Sequence, residues 1–140
     1  MTLYALPMFE IQTAIYQKLT NSATLMSLVQ GVFDTPDVNE DYPYVTISEP
    51  YSSPLDTKTN NNETITFTMH AWYKDNDDYT GKKITYQILS ACQQALSTRN
   101  YNVPGVRVLD VSRVEAKVFD DNTAGVKHGI LRMRYKIQNM

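Results

Sequence analysis

The chain has 140 residues, enough for one domain, residues 1–140, with a sizeable core. Hydrophobic residues make up 42% of it and charged residues 20%, which is typical of a globular protein. The net charge of −2 argues against a strongly basic nucleic-acid-binding domain. One cysteine excludes an internal disulfide framework, and no long apolar run predicts secretion or a membrane span. A chain kept in a cytoplasm is expected.

The first third of the chain is predicted to be helical. Residues 5–19 place apolar side chains at helical spacing, and Pro7 is tolerated because it lies in the first turn. A second, short helix is expected to begin after Ser22, which can cap it, and to end by Gly31. Residues 34–43 follow with two prolines and four acidic residues, a composition that favours a loop.

The middle of the chain predicts two strands around a long loop. Residues 44–48 form the first strand, and residues 64–73 form the clearer one because apolar and polar side chains alternate there. Residues 50–62 between them have little to bury and predict a mobile loop. The residues proposed to act in assembly through this loop are Leu55, Asp56, Lys58, Asn60, Asn61 and Asn62.

The remaining elements complete an α+β pattern. A helix capped by Asp78 or Thr80 is expected to run to about Ser97, with an apolar stripe suited to packing on a sheet. Strands are predicted at 106–112, 113–120 and 128–138, with a turn at 121–125. The element order predicts a mostly antiparallel sheet of about four to five strands with two main helices packed on one face.

No residue pattern predicts a catalytic, cofactor-binding or metal site, so we expect a protein that is not an enzyme and needs no cofactor. His70 and His128 are 58 positions apart, outside any metal-binding spacing, and His70 is interpreted as a surface or rim histidine of a sheet. Cys92 lies on the apolar stripe of a helix, which is typical of a buried, inert cysteine. The five glycines form no phosphate-binding loop.

One charge pattern is a candidate for assembly. Arg132, Arg134 and Lys136 fall on one face of the last predicted strand because side chains alternate with period two. The stripe is either an ordinary solvated face or an electrostatic contact surface. Its partner in the second case would be an acidic loop on another copy, because a head-to-tail contact pairs two different patches. The candidate acidic residues are Asp37, Glu40, Asp41, Asp75, Asp77 and Asp78.

The order of several segments resembles a known family. These segments are IQTAIYQKL, LMSLVQGVFD, YPYVTIS, ETITFTMHAWYKD, GKKITYQILSACQQAL and VSRVEAKVFDDNTAGVKHGILRMRYKI. Together they resemble the tail terminator proteins, also called tail completion or tail-to-head joining proteins, of siphophages and related prophages. The resemblance spans nearly the whole chain and rests on the order of motifs that are individually weak.

The resemblance implies a structural protein of the virion that is made in the host cytoplasm. Such proteins form a ring, usually a hexamer, on the head-proximal end of the tail tube. The ring stops polymerisation of the major tail tube protein and presents a surface to the head connector or stopper. DNA would pass through the bore without specific binding, and no membrane is involved. Segments 50–62 and 120–127 are expected to order on these partners.

Two alternatives stay open from the sequence. The first is a head-completion or stopper-type connector protein, which has a similar task and a different ring partner. The second is a small ligand- or peptide-binding module that uses the tyrosines clustered around the loops, at positions 42, 44, 51, 73 and 79.

Overall fold

The structure is a computed structural model that describes residues 6–37, 39–54, 61–98 and 100–140. The helices are α1 (Met8–Thr20), α2 (Ala23–Met26) and α3 (Lys83–Leu96). The strands are β1 (Val32–Phe33), β2 (Tyr44–Pro54), β3 (Asn62–Lys74), β4 (Val106–Asp120) and β5 (Val126–Asn139). They form one sheet in the order β1-β2-β3-β5-β4, antiparallel except for the β1–β2 pair. The predicted α+β fold is confirmed.

The two main helices cover the same face of the sheet. α1 packs on β1 and β2, α3 packs on β3, β5 and β4, and the helices contact each other. The apolar side of each alternating strand faces them, and Phe67 of β3 and Tyr135 of β5 are fully buried there. The other face of the sheet, which we call the open face, has no helix among the described residues.

α3 lies close to the backbone of β5 at Gly129. A Cβ atom on this glycine would lie 2.8 Å from Cγ2 of Thr85 and 3.2 Å from two carbons of Leu89. Both of those residues belong to α3. The missing side chain of Gly129 therefore allows α3 to pack directly on the backbone of the central sheet.

The hairpin between β2 and β3 is longer than predicted. β2 extends to Pro54 and β3 begins at Asn62, so residues 50–54 and Asn62 belong to strands and not to the predicted 50–62 loop. Backbone pairing explains the difference, because a polar segment still completes the ladder when its neighbour is in register. Asn61 is also anchored, since its backbone oxygen accepts from Asn139 N–H at 2.8 Å. The predicted loop residues Leu55, Asp56, Lys58 and Asn60 lie outside the described residues.

Two further predictions are corrected by the structure, and one short strand was not predicted. Residues 106–120 form one strand and not two, and register shifts near Leu109 and Val114 interrupt the alternation that the sequence pattern relies on. α3 begins at Lys83 after an N-cap at Lys82, because the preceding segment is held in a turn around Asn76 and Gly81. The two-residue strand β1 is too short to show the alternation of apolar and polar residues from which a strand is predicted.

Both sides of the sheet carry irregular strands. β4 is the edge strand on one side, and its two register shifts leave Leu109 and Val114 exposed. On the other side, β1 covers only the first part of β2. β2 has its own register shift between Ser48 and Tyr51, where Glu49 adopts a left-handed φ of 53°.

Candidate assembly surfaces

The predicted acidic loops meet at one end of the sheet. The loop before β2 and the segment after β3 line a common cleft of about 550 Å³ that contains Glu40, Asp41 and Asp75. Asp37, Asp77 and Asp78, from the same two segments, are exposed. Acidic residues that are more than 30 positions apart in the chain are thereby concentrated in one region, which we call the acidic end.

Asp75 is bound within the chain. Its carboxylate lies 3.2 Å from Nζ of Lys127 and accepts a hydrogen bond from Gly81 N–H at 3.1 Å. The side chains of Asp75 and Lys127 are 18% and 14% exposed. Asp75 therefore fixes the β3–α3 connection to the start of β5, and it is less available to a partner than Asp77 or Asp78.

Arg132, the first residue of the predicted basic stripe, is also bound within the chain. Its Nη1 donates to Glu115 at 3.0 Å and its Nε to the hydroxyl of Thr68 at 3.1 Å. Nη2 lies 3.8 Å from Glu49. Arg132 thus ties β2, β3, β5 and β4 together across the open face, and its charge is offset by two carboxylates.

Arg134 and Lys136 are exposed on the open face, where we find no ion pair for either within the described part of the chain. They are paired across the ladder with Thr66 and Thr64. The acidic end begins near Lys74, which is about 33 Å from Thr64 along β3 at roughly 3.3 Å per residue. The structure therefore keeps the free part of the basic stripe apart from the acidic loops within one subunit.

Sequence reasoning missed a histidine pair on the open face. The register that places Trp72 opposite His128 brings Nδ1 of His70 to 2.6 Å from Nε2 of His128. Nε2 of His70 lies 2.8 Å from a carboxylate oxygen of Glu49. The indole of Trp72 stacks on His128 with ring centroids 3.8 Å apart. His70 is thus an inner member of a cluster and not the surface histidine that its strand position suggested.

Carboxylates lie at both ends of the histidine pair. Glu49 accepts from His70 Nε2–H, and Nδ1 of His128 lies 3.8 Å from Asp121. The two ring nitrogens that face each other share one hydrogen bond. Burial, and next the neighbouring His70, hold the pKa of His128 below its ordinary value, although Asp121 and Glu49 act in the opposite direction. The pair is therefore a structural link between β2, β3 and β5.

The remaining candidate for chemistry is Cys92. Cys92 is fully buried on α3, as predicted, and burial raises the pKa of its thiol to about 12. Across the described ranges, no group of three or more His, Cys, Asp or Glu residues is arranged to hold a metal ion. None of the described helices combines the length and apolar character that a bilayer crossing needs.

Comparison with known proteins agrees with the fold. Residues 13–138 match the model of the family described as tail completion protein gp17. A relative from Bacillus phage SPP1 that bears this name is 30% identical over 129 residues, which are 92% of each protein.

Two solved structures share the fold. A chain in the virion of a native gene transfer agent particle superposes with a TM-score of 0.82 at 21% identity, covering 92% of this chain and 95% of that one. The structure of the SPP1 gp17 protein superposes with a TM-score of 0.66 at 27% identity, covering 96% of this chain and 95% of that one.

The family match over most of the chain, together with the shared fold, indicates a structural protein of phage tails. The chain belongs to the tail completion protein gp17 family.

Proposed function

We propose that this chain caps the head-proximal end of the phage tail tube as a ring, for which six subunits are the expected number. The ring ends polymerisation of the major tail tube protein and forms the joint to the head connector or stopper protein. DNA passes through its bore without specific binding, and the chain reaches the virion after assembly in the host cytoplasm.

The observation that carries the proposal is the family membership over residues 13–138, together with the fold match to a chain of an assembled particle. The surfaces support it. Exposed acids and exposed cations lie in different regions of the subunit, which is compatible with a head-to-tail contact within a ring. A net charge of −2 suits a bore that must release DNA rather than hold it.

A lysate of the phage made without this chain tests the proposal. Negative-stain microscopy is expected to show tails of uncontrolled length and unattached heads, and supplying the chain from a plasmid is expected to restore joined particles. Tails of normal length that remain unattached would instead indicate a head-completion or stopper-type protein. Normal, joined particles would show that the chain has neither role.

A further inference from the structure

The charges of the chain are divided between its two halves. Residues 1–78 contain three Lys or Arg and eleven Asp or Glu, whereas residues 79–140 contain ten and four. The formal charges of the halves are therefore −8 and +6, which together give the net −2. A nearly neutral total conceals a strong internal polarity.

The strand order converts this division into two oppositely charged sides. β1, β2 and β3 come from the first half and occupy one side of the sheet, and β5 and β4 come from the second half and occupy the other. α1 covers the first side, and α3 lies mainly over the second. We define the acidic flank by three exposed residues of the β1–β2 connection: Asp34, Asp37 and Asp41. We define the basic flank by two exposed residues of β4, Arg113 and Lys117.

The charges of the flanks are largely available. Within the described ranges we find no ion pair for the three acids. Arg113 donates to the neutral side chain of Gln93 at 2.9 Å. Lys117 pairs with Glu115 at 3.2 Å, but both groups are solvated, so this pair contributes little.

The basic flank also has the make-up of a contact surface. A groove of about 300 Å³ runs between α3 and β4, and its apolar lining includes Tyr86, Leu89 and Val118. Arg113 and Lys117 also line it, and Tyr86 is 56% exposed. An apolar centre with a charged rim is the usual arrangement of a protein–protein interface.

The two flanks lie at compatible levels of the sheet. Lys117 of β4 lies at the same level as Thr46, near the start of β2. The two are connected across the sheet by the paired residues Ile130 of β5 and His70 of β3. The acidic connection leads directly into β2 from that end. Lateral repetition of the subunit would thus bring the acidic flank of one copy near the basic flank of the next.

We propose that the ring is closed by contacts between the basic flank of each subunit and the acidic flank of the next copy of the same chain. The inference rests on the proposed ring and names the surfaces that build it. Opposite charges on the two flanks favour head-to-tail contacts between copies. Contacts between two like flanks are repulsive, so the charges also disfavour head-to-head pairing. The basic residues of the open face are then not the contact between subunits.

Charge reversal tests the contact in phage particles that depend on a plasmid copy of the full chain. One variant reverses the basic flank with Arg113→Glu and Lys117→Glu, and a second reverses the acidic flank with Asp34→Lys and Asp41→Lys. Each variant alone presents two like flanks, and we expect the yield of joined particles to fall by about tenfold or more. Combining all four substitutions in one chain, or supplying the two variants together, is expected to restore most of the yield.

A matched control is the open-face pair Arg134→Glu with Lys136→Glu, which changes the charge by the same amount as reversal of the basic flank. This control is expected to join heads and tails normally. Circular dichroism and thermal unfolding of every variant exclude misfolding as the cause of a loss. A direct readout is the pair Arg113→Cys with Asp41→Cys, which is expected to give a ladder of cross-linked subunits in assembled tails, because Cys92 is buried.

The outcomes separate the flank contact from the ring itself. If omission of the chain gives uncontrolled tails but both flank variants complement fully, the flank contact is wrong and the capping role stands. If folded flank variants fail and the combinations do not restore them, charge complementarity is wrong. If omission leaves particles normal, the capping role is wrong as well.

Discussion

The close packing of α3 on Gly129 makes a quantitative prediction for Gly129→Ala. The new Cβ would lie 2.8 Å from Cγ2 of Thr85 and 3.2 Å from two carbons of Leu89, whereas carbon atoms pack best at about 3.5–4.0 Å. α3 must therefore move outward by several tenths of an ångström or both side chains must leave their rotamers. Overpacking of this kind costs about 1–3 kcal/mol, a large part of the roughly 5–15 kcal/mol that stabilises a domain.

Urea unfolding followed by Trp72 fluorescence measures the loss as a lower midpoint at an unchanged slope. Thr85→Ser is the second substitution of a double-mutant cycle, because it removes the methyl group that the new Cβ would contact and keeps the hydroxyl. In that background Gly129→Ala is expected to cost at least about 0.5 kcal/mol less, since the two residues are in contact. A Gly129→Ala variant as stable as the parent, or losses that simply add, would show that the approach of α3 is not what requires the glycine.

Three other predictions concern the open face and the core. Because the folded-state pKa of His128 is depressed, its stabilising contribution is complete above its ordinary pKa of about 6.5 and is lost as the pH falls below it. The free energy of unfolding should therefore be lower at about pH 5.5 than at about pH 7.5, and His128→Gln should reduce this difference. An equal difference in both proteins would contradict the structural role of the pair. Cys92 is expected to resist a maleimide at pH 8 until the chain is unfolded, and rapid labelling of the native protein would contradict its burial. Arg132→Glu should lower the free energy of unfolding by about 1–2 kcal/mol, because Glu115 and Glu49 lose their cation. The control Arg134→Glu should change it by no more than about 0.5 kcal/mol. Equal losses in denaturant titrations would argue against the internal ion pairs of Arg132.

Local patterns in the sequence predicted the elements that depend on local chemistry. The alternation in residues 64–73 predicted β3, and the apolar stripe around Cys92 predicted α3, since burial of one face imposes a period on the sequence. The extension of β2 to Pro54 was missed, because its polar residues are held by pairing with β3 and not by burial. Residues 106–120 were divided in two because a register shift breaks the alternation without ending the strand.

The candidate surfaces were predictable only in part. The exposed acids could be recognised from composition, but their concentration at one end of the sheet depends on which loops become neighbours. The histidine pair depends on the β3–β5 register, which joins positions 58 apart and leaves no local sign. The internal role of Arg132 is hidden for the same reason, because its two carboxylate partners come from β2 and β4.

The register shifts in β2 and β4 have a consequence for the chain before it assembles. A fifteen-residue edge strand that was flat would offer a row of unpaired backbone groups to any passing strand, and growth by that route would not stop. The shifts at Leu109 and Val114 twist that row out of line, and Glu49 and Pro50 interrupt the opposite edge. These interruptions are expected to disfavour growth by strand addition, which leaves contacts between subunits to their side chains.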